Sequence, residues 1–212
     1  MFFVFDGVDG AGKSTQMRHF LQWLTDQSIP CTACHDPGTT ELGQQIRQLL
    51  LGRHDIPIHD RSEMLLFSAA RAQLVEQVIR PALNGGTVVV CDRYVLSTVV
   101  YQGLAGSLDP ELIWKVNSIA TAGQMPDLTF ILDIDIEAAS QRLGAERDRM
   151  ESRGPAYLER VRQGFLAEAE RWPTGIEVID ANRSVEAIQA DIRAAAQPLV
   201  TRFLNSQTPR TA

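Results

Sequence analysis

The sequence predicts an α/β fold: a doubly wound, five-stranded parallel sheet with helices on both faces. Three observations carry this. Five short apolar runs recur along the chain, stretches of helical period separate them, and a glycine-rich loop, "GVDGAGKST" (7–15), joins the first run to the first such stretch. Strand and helix in strict alternation make consecutive strands parallel, because each crossover helix packs back onto the sheet.

The elements follow in order. "FFVF" (2–5) is the first strand, and Met17, Phe20, Leu21 and Leu24 then repeat at helical spacing. "CTAC" (31–34) is the second strand. Helical period resumes over 61–83, and "TVVVC" (87–91) reads as a strand buried on both sides, being apolar without alternation. A helical stretch over 109–122 precedes the strand "LTFILDI" (128–134). Segments 137–143 and 155–171 are helical, "IEVID" (176–180) is the last strand, and 184–204 the last helix. No repeat or linker divides the chain, so residues 1–205 are expected to form one domain, with 206–212 a flexible tail.

Composition narrows the classes of function. With 20 basic against 26 acidic residues, the net charge of -6 argues against a general binder of nucleic acid or anionic membrane. Met1 leads straight into the first strand, with no basic n-region or spanning apolar run, so a cytoplasmic protein is expected. "CTACH" (31–35) has the spacing of a haem-attachment or zinc motif. No second ligand pair accompanies it, since His19, His54 and His59 lack the spacing, and Cys31, Cys34 and Cys91 are expected to be small buried strand residues.

The loop carries the strongest chemical signal. It fits G-x-x-x-x-G-K-[ST], with Gly7, Gly12, Lys13 and Ser14 at the fixed positions and Val8, Asp9, Gly10 and Ala11 between. Glycines let backbone amides close around phosphate, and the helix that follows turns its positive end to the anion. Lys13 is expected to reach the β- and γ-phosphates of a nucleotide and Ser14 to ligate Mg²⁺, with Thr15 completing the ATP-binding loop. "VVVCDRY" puts Asp92 and Arg93 at the carboxyl end of a strand, where the acid orients a metal and the arginine grips phosphate. No N-K-x-D guanine reader is present, and a small phosphate acceptor is indicated. In "LLFSAARAQL", Phe67 and Arg71 lie four apart on one helix face, where ring and guanidinium suit a planar base.

Together with "DPGTTELGQQIR" (36–47), "DRYVLSTVVYQG" (92–103) and "AERDRMESRG" (145–154), these motifs make the sequence resemble the thymidylate kinases, P-loop nucleoside-monophosphate kinases, from residue 1 to about 195. The resemblance implies transfer of the γ-phosphoryl of ATP to dTMP, with Mg²⁺ at Ser14 and Asp92, in a homodimer. It implies that Phe67 stacks on thymine, that Arg71 bonds its exocyclic oxygen, that Thr98 or Gln102 lies near the base, and that Ser97 belongs to the dTMP site. Tyr101 would crowd the sugar's 2′ position, Arg93 and Arg47 would hold the acceptor phosphate, and Asp9 would approach the sugar hydroxyl or metal shell. Asp36 and Pro37 match a turn held in cis. Arg142, Ala181 and Asn182 fall where the family holds adenine.

The phosphate loop contains no arginine, so the resemblance assigns the catalytic cation to a lid at about 144–154, with Arg147 first, Arg149 second and Arg153 nearby; Arg149 could instead be an ion-pair partner. The sequence departs from the family at "HDPGTT" (35–40), where Arg-Glu-Pro-Gly-Gly-Thr is usual, at Asp6 in place of Glu, and in a lid shorter by about two residues around Leu143, Gly144 and Ala145. These departures leave two alternatives: a P-loop kinase for another nucleoside monophosphate, or a catalytically impaired nucleotide-binding protein.

Overall fold

The computed structural model describes residues 1–52, 56–142 and 153–207. Five strands, β1 (Phe2–Asp6), β2 (Cys31–His35), β3 (Val88–Asp92), β4 (Leu128–Asp133) and β5 (Ile176–Asp180), form one sheet in the order β2-β3-β1-β4-β5. Every pairing is parallel, as alternation predicts. The chain steps from β1 out to β2, back to β3 and then across to β4, so the crevice for ligands opens at the carboxyl ends beside β1.

Alternation along each strand divides the core between the two faces. Phe3 and Phe5 of β1 and Val88 and Val90 of β3 join a cluster with Phe20 of α1 (Lys13–Asp26), Phe165 of α8 (Pro155–Arg171) and Ile192 of α9 (Val185–Gln207). Phe2, Val4, Val89 and Cys91 point the other way, against Met64 and Leu74 of α3 (Asp60–Leu74) and Ile113 of α6 (Pro110–Thr121). The first face is aromatic: the Phe20 ring meets those of Phe3 at 5.1 Å and Phe130 at 5.7 Å. The central strands β1, β3 and β4 are almost wholly buried, whereas the edge strands β2 and β5 are half open. Cys91 on β3 and Cys34 on β2 are buried as expected, but Cys31, at the start of edge strand β2, is only half-buried.

Several elements differ from the sequence pattern. Segments Glu41–Leu51 (α2) and Val95–Thr98 (α5), the latter continuing as a π-helical stretch Val99–Leu104, are helical where no helix is expected from period alone. The expected helix over 61–83 spans α3, a π-helical stretch Val75–Ile79 and α4 (Arg80–Asn84). Helix α7 (Ile136–Arg142) ends where the described residues end, and α9 continues to Gln207, past the 204 at which its pattern stops. No helix of the described residues is long and apolar enough to cross a membrane.

Candidate active site

The loop after β1 is shaped by its glycines. Gly7, Gly10 and Gly12 all have positive φ, at 125°, 84° and 92°. A Cβ on Gly10 would lie 2.4 Å from the Ala139 carbonyl oxygen of α7, so only glycine lets loop and helix approach this closely. Lys13 turns back over the loop and donates from Nζ to the carbonyls of Val8 at 2.9 Å and Gly7 at 3.2 Å, with Asp9 at 3.7 Å. Burial, reinforced by Arg93, lowers its ammonium pKa.

Arg93 organises the centre. It follows β3 with φ 66°, a left-handed conformation that costs a non-glycine residue stability and is concentrated at functional sites. Its backbone N–H donates to Phe5 O, and its guanidinium donates to Asp9 at 2.5 Å, to Gly7 O and Ser97 Oγ at 3.0 Å, and to Asp6 and Tyr101 at 3.3 Å. Burial raises the Asp9 carboxyl pKa, but Arg93 and Lys13 outweigh it and hold the group well below the ordinary carboxylate range. Burial dominates at Asp6, whose pKa stays raised against the pull of Arg93. Asp6 nonetheless fixes the loop entrance, accepting from Ser97 Oγ at 2.6 Å and Gly7 N at 3.1 Å.

A second arginine governs the adjoining cavity, which Asp36, Arg47, Phe67, Arg71, Tyr101 and Gln102 help to line. Arg71 is 1% exposed. It donates from Nε to Asp36 Oδ2 at 2.6 Å, from Nη2 to Thr98 Oγ1 at 2.8 Å and Tyr94 O at 3.0 Å, and from Nη1 to Asn117 Oδ1. A guanidinium has five N–H groups, so these four bonds fix its plane and leave one Nη1 hydrogen. Phe67, one helical turn before it, is half-buried at the cavity wall. The Asp36–Pro37 bond is cis, and Arg47 Nη1 donates to Pro37 O at 3.0 Å.

The phosphate side forms a second cavity, lined by Gly10, Gly12, Lys13, Ser14, Thr15, Asp92 and Arg142, and the two cavities share Asp9, Asp36, Arg47 and Arg93. Val8 and Ala11 are buried beneath the loop. At its far edge Arg142 Nη2 donates to Ala181 O at 3.3 Å, and Asn182 accepts from Asp135 N at 3.3 Å, so this trio lies together. Ser14 Oγ donates to Asp92 Oδ2 at 3.4 Å, while Asp92 Oδ1 is buried without a hydrogen-bond partner in the described structure. No cluster of three or more His, Cys, Asp or Glu suited to a metal occurs among the described residues. Arg147 and Arg149 lie outside the described residues; Arg153 pairs with Glu63 at 3.2 Å.

Three contributors receive no role from the motifs: Asn117 and Glu63, which lie outside them, and Tyr94, which lies within "DRYVLSTVVYQG". The first two leave a signal in spacing. Ile113, Asn117 and Thr121 occupy the buried face of α6 at intervals of four, and a buried amide there requires a partner. Glu63, Phe67 and Arg71 are likewise four apart on α3. Tyr94 contributes a backbone carbonyl, which no residue type announces.

A phosphate loop at the carboxyl edge of a 2-3-1-4-5 sheet, opening onto a second cavity through shared cations, defines a P-loop phosphotransferase whose acceptor is a small molecule. Comparison with known proteins narrows the class. The thymidylate kinase family model matches residues 5–192. The chain is 44% identical to the thymidylate kinase of Symbiobacterium thermophilum over 95% of each chain. It is 44% identical to that of Cutibacterium acnes, over 95% of this chain and 98% of the relative. Identity to the Pelotomaculum thermopropionicum enzyme is 40%, over 98% of this chain and 97% of the relative. The chain belongs to the thymidylate kinase family, whose activity is phosphorylation of dTMP to dTDP.

Proposed function

We propose that the two joined cavities hold ATP and dTMP end to end, with their phosphates meeting at Asp9, Asp36, Arg47 and Arg93. The observation that carries this reading is that sharing of residues between a phosphate-loop cavity and a cavity walled by Phe67 and Arg71. In this reading Phe67 stacks on thymine, and Arg71 gives its remaining Nη1 hydrogen to the base's exocyclic oxygen. Tyr101, its hydroxyl beside Asp9 and Arg93, bounds the sugar and disfavours a 2′-hydroxyl.

On the donor side Lys13 exchanges its loop carbonyls for phosphate oxygens, which its short reach from α1 allows. Arg142, Ala181 and Asn182 receive adenine. Ser14 and Asp92 would hold Mg²⁺, the unpartnered Asp92 Oδ1 suiting a hard cation whose remaining ligands are phosphate and water. Bound there, the ion neutralises phosphate charge during transfer. Arg93 stays charged beside three carboxylates and takes up the acceptor phosphate, while Asp9 turns to the sugar hydroxyl or the metal shell. The enzyme is proposed to act in the cytoplasm as a homodimer.

The lid arginine is the remaining catalytic cation in this scheme, with Arg147 placed first. Arg147→Ala should lower kcat by about 10³-fold while KM for dTMP stays nearly unchanged, because the lost contact belongs to the transition state. Steady-state ADP formation with varied dTMP measures both. Normal turnover in Arg147→Ala with loss in Arg149→Ala would reverse the assignment.

A further inference from the structure

Glu63 stands at the junction of the base cavity and α8, in a role no motif assigns. It is 1% exposed, yet its carboxylate accepts from Gln102 Nε2 at 2.7 Å on one side and from Arg153 Nη2 at 3.2 and 3.3 Å on the other. Arg153 also donates to Tyr157 Oη at 3.1 Å, and that hydroxyl donates to Tyr101 O at 2.9 Å. Arg153 is therefore tied to both the side chain of Gln102 and the backbone just before it.

An amide can face a neighbour with either its oxygen or its NH₂, but an ionised carboxylate only accepts. Glu63 is paired with the Arg153 guanidinium and accepts from Gln102 Nε2, so the amide turns its NH₂ to Glu63 and leaves Oε1 as its other end. Gln102 lines the same cavity as Arg71, which can only donate. We propose that Glu63 is a positioning residue that fixes the amide sense of Gln102, so that the cavity presents a donor at Arg71 and an acceptor at Gln102. That pair complements the 4-carbonyl and N3–H of thymine or uracil. It opposes cytosine, whose 4-amino group would meet the Arg71 donor and whose bare N3 would meet the Gln102 oxygen. The inference rests on the reading of this cavity as the acceptor-base site.

The test compares kcat/KM for dTMP and for dCMP in the full-length wild type, Glu63→Gln, Gln102→Met and the double variant, with thermal unfolding checked for each. A glutamine at 63 both donates and accepts, so Gln102 is free to turn over. The dTMP/dCMP ratio should fall at least about tenfold in Glu63→Gln, the size of one hydrogen bond. It should fall comparably in Gln102→Met, and no further in the double variant. Arg153→Met, at a residue 28% exposed, should lower the ratio in the same direction and provides the test if Glu63→Gln does not fold. An unchanged ratio in Glu63→Gln or in Gln102→Met overturns the proposal, as does an additive loss in the double variant. Failure of the wild type to phosphorylate dTMP would instead overturn the reading of the cavity itself.

Discussion

Arg71 shows how a single residue serves both stability and recognition. Its pairing with Asp36 is fully buried, and the opposing contributions at Asp36 are unequal: burial raises the carboxyl pKa, and Arg71 pulls it back down. Removing one partner of such a pair strands the other charge, whereas removing both leaves a neutral cavity. Arg71→Ala should therefore destabilise the fold by about 3–5 kcal/mol, read from the urea midpoint, and Asp36→Asn added to it should recover part of the loss. If Arg71→Ala unfolds like wild type, the pair is a recognition device alone. Phe67 and Arg71 were legible in the sequence because four-residue spacing joins them across one face. Their supports were not: Asn117 lies 46 residues from Arg71 in sequence, and only the packing of α6 against α3 brings it near.

At the scale of elements, the phosphate loop and the Asp36–Pro37 turn bear different constraints. Gly10 and Gly12 share a left-handed φ, but a Cβ on Gly10 collides with the backbone of α7, while among the described residues one on Gly12 meets only Arg142 Nη1 at 4.0 Å. Gly12→Ala should cost about 1–2 kcal/mol, the conformational term alone. Gly10→Ala should cost more and raise KM for ATP, because loop and α7 must separate; equal costs in urea unfolding would contradict this. In the turn, burial and the nearby Arg47 lower the His35 pKa below its ordinary 6.5, while Asp92 and Asp36 oppose them. The unfolded chain then takes up the proton more readily than the folded one. Stability attributable to His35 is complete above about 6.5 and declines as pH falls below it. The urea midpoint of wild type should drop between pH 7.5 and 5.5, and His35→Gln should flatten that drop; parallel curves would place the titration elsewhere. Strand positions were readable because apolar runs are short and punctuated. Helix α2 was obscured by the motif in which it begins, although Thr40 caps it, accepting from Gly43 N at 3.0 Å. The π-helical stretch carrying Tyr101 and Gln102 has no sequence period to betray it, and its wider turn is a feature that accumulates at functional sites.

For the whole molecule, the proposed homodimer needs an apolar face through which to form. Helices α3 and α6 pack together and leave large apolar side chains outward: Leu65 is 50% exposed, Leu112 44% and Ile119 81%. Leu112 and Ile119 are seven apart and so share one face of α6, while Asn117 on its buried face holds Arg71. A homodimer formed through this outer face would bury those side chains and brace the helix that supports the base reader. Folding would then be linked to association, and the melting temperature of wild type should rise with protein concentration. Ile119→Glu places a charge at the centre of that face and should sediment as a monomer with a concentration-independent melting temperature. It should also lose part of its preference for dTMP, since α6 is no longer braced behind Arg71. A variant that still sediments as a dimer would exclude this face as the interface. A monomer with unchanged kcat/KM for dTMP would show instead that α6 holds Asn117 in place without the partner.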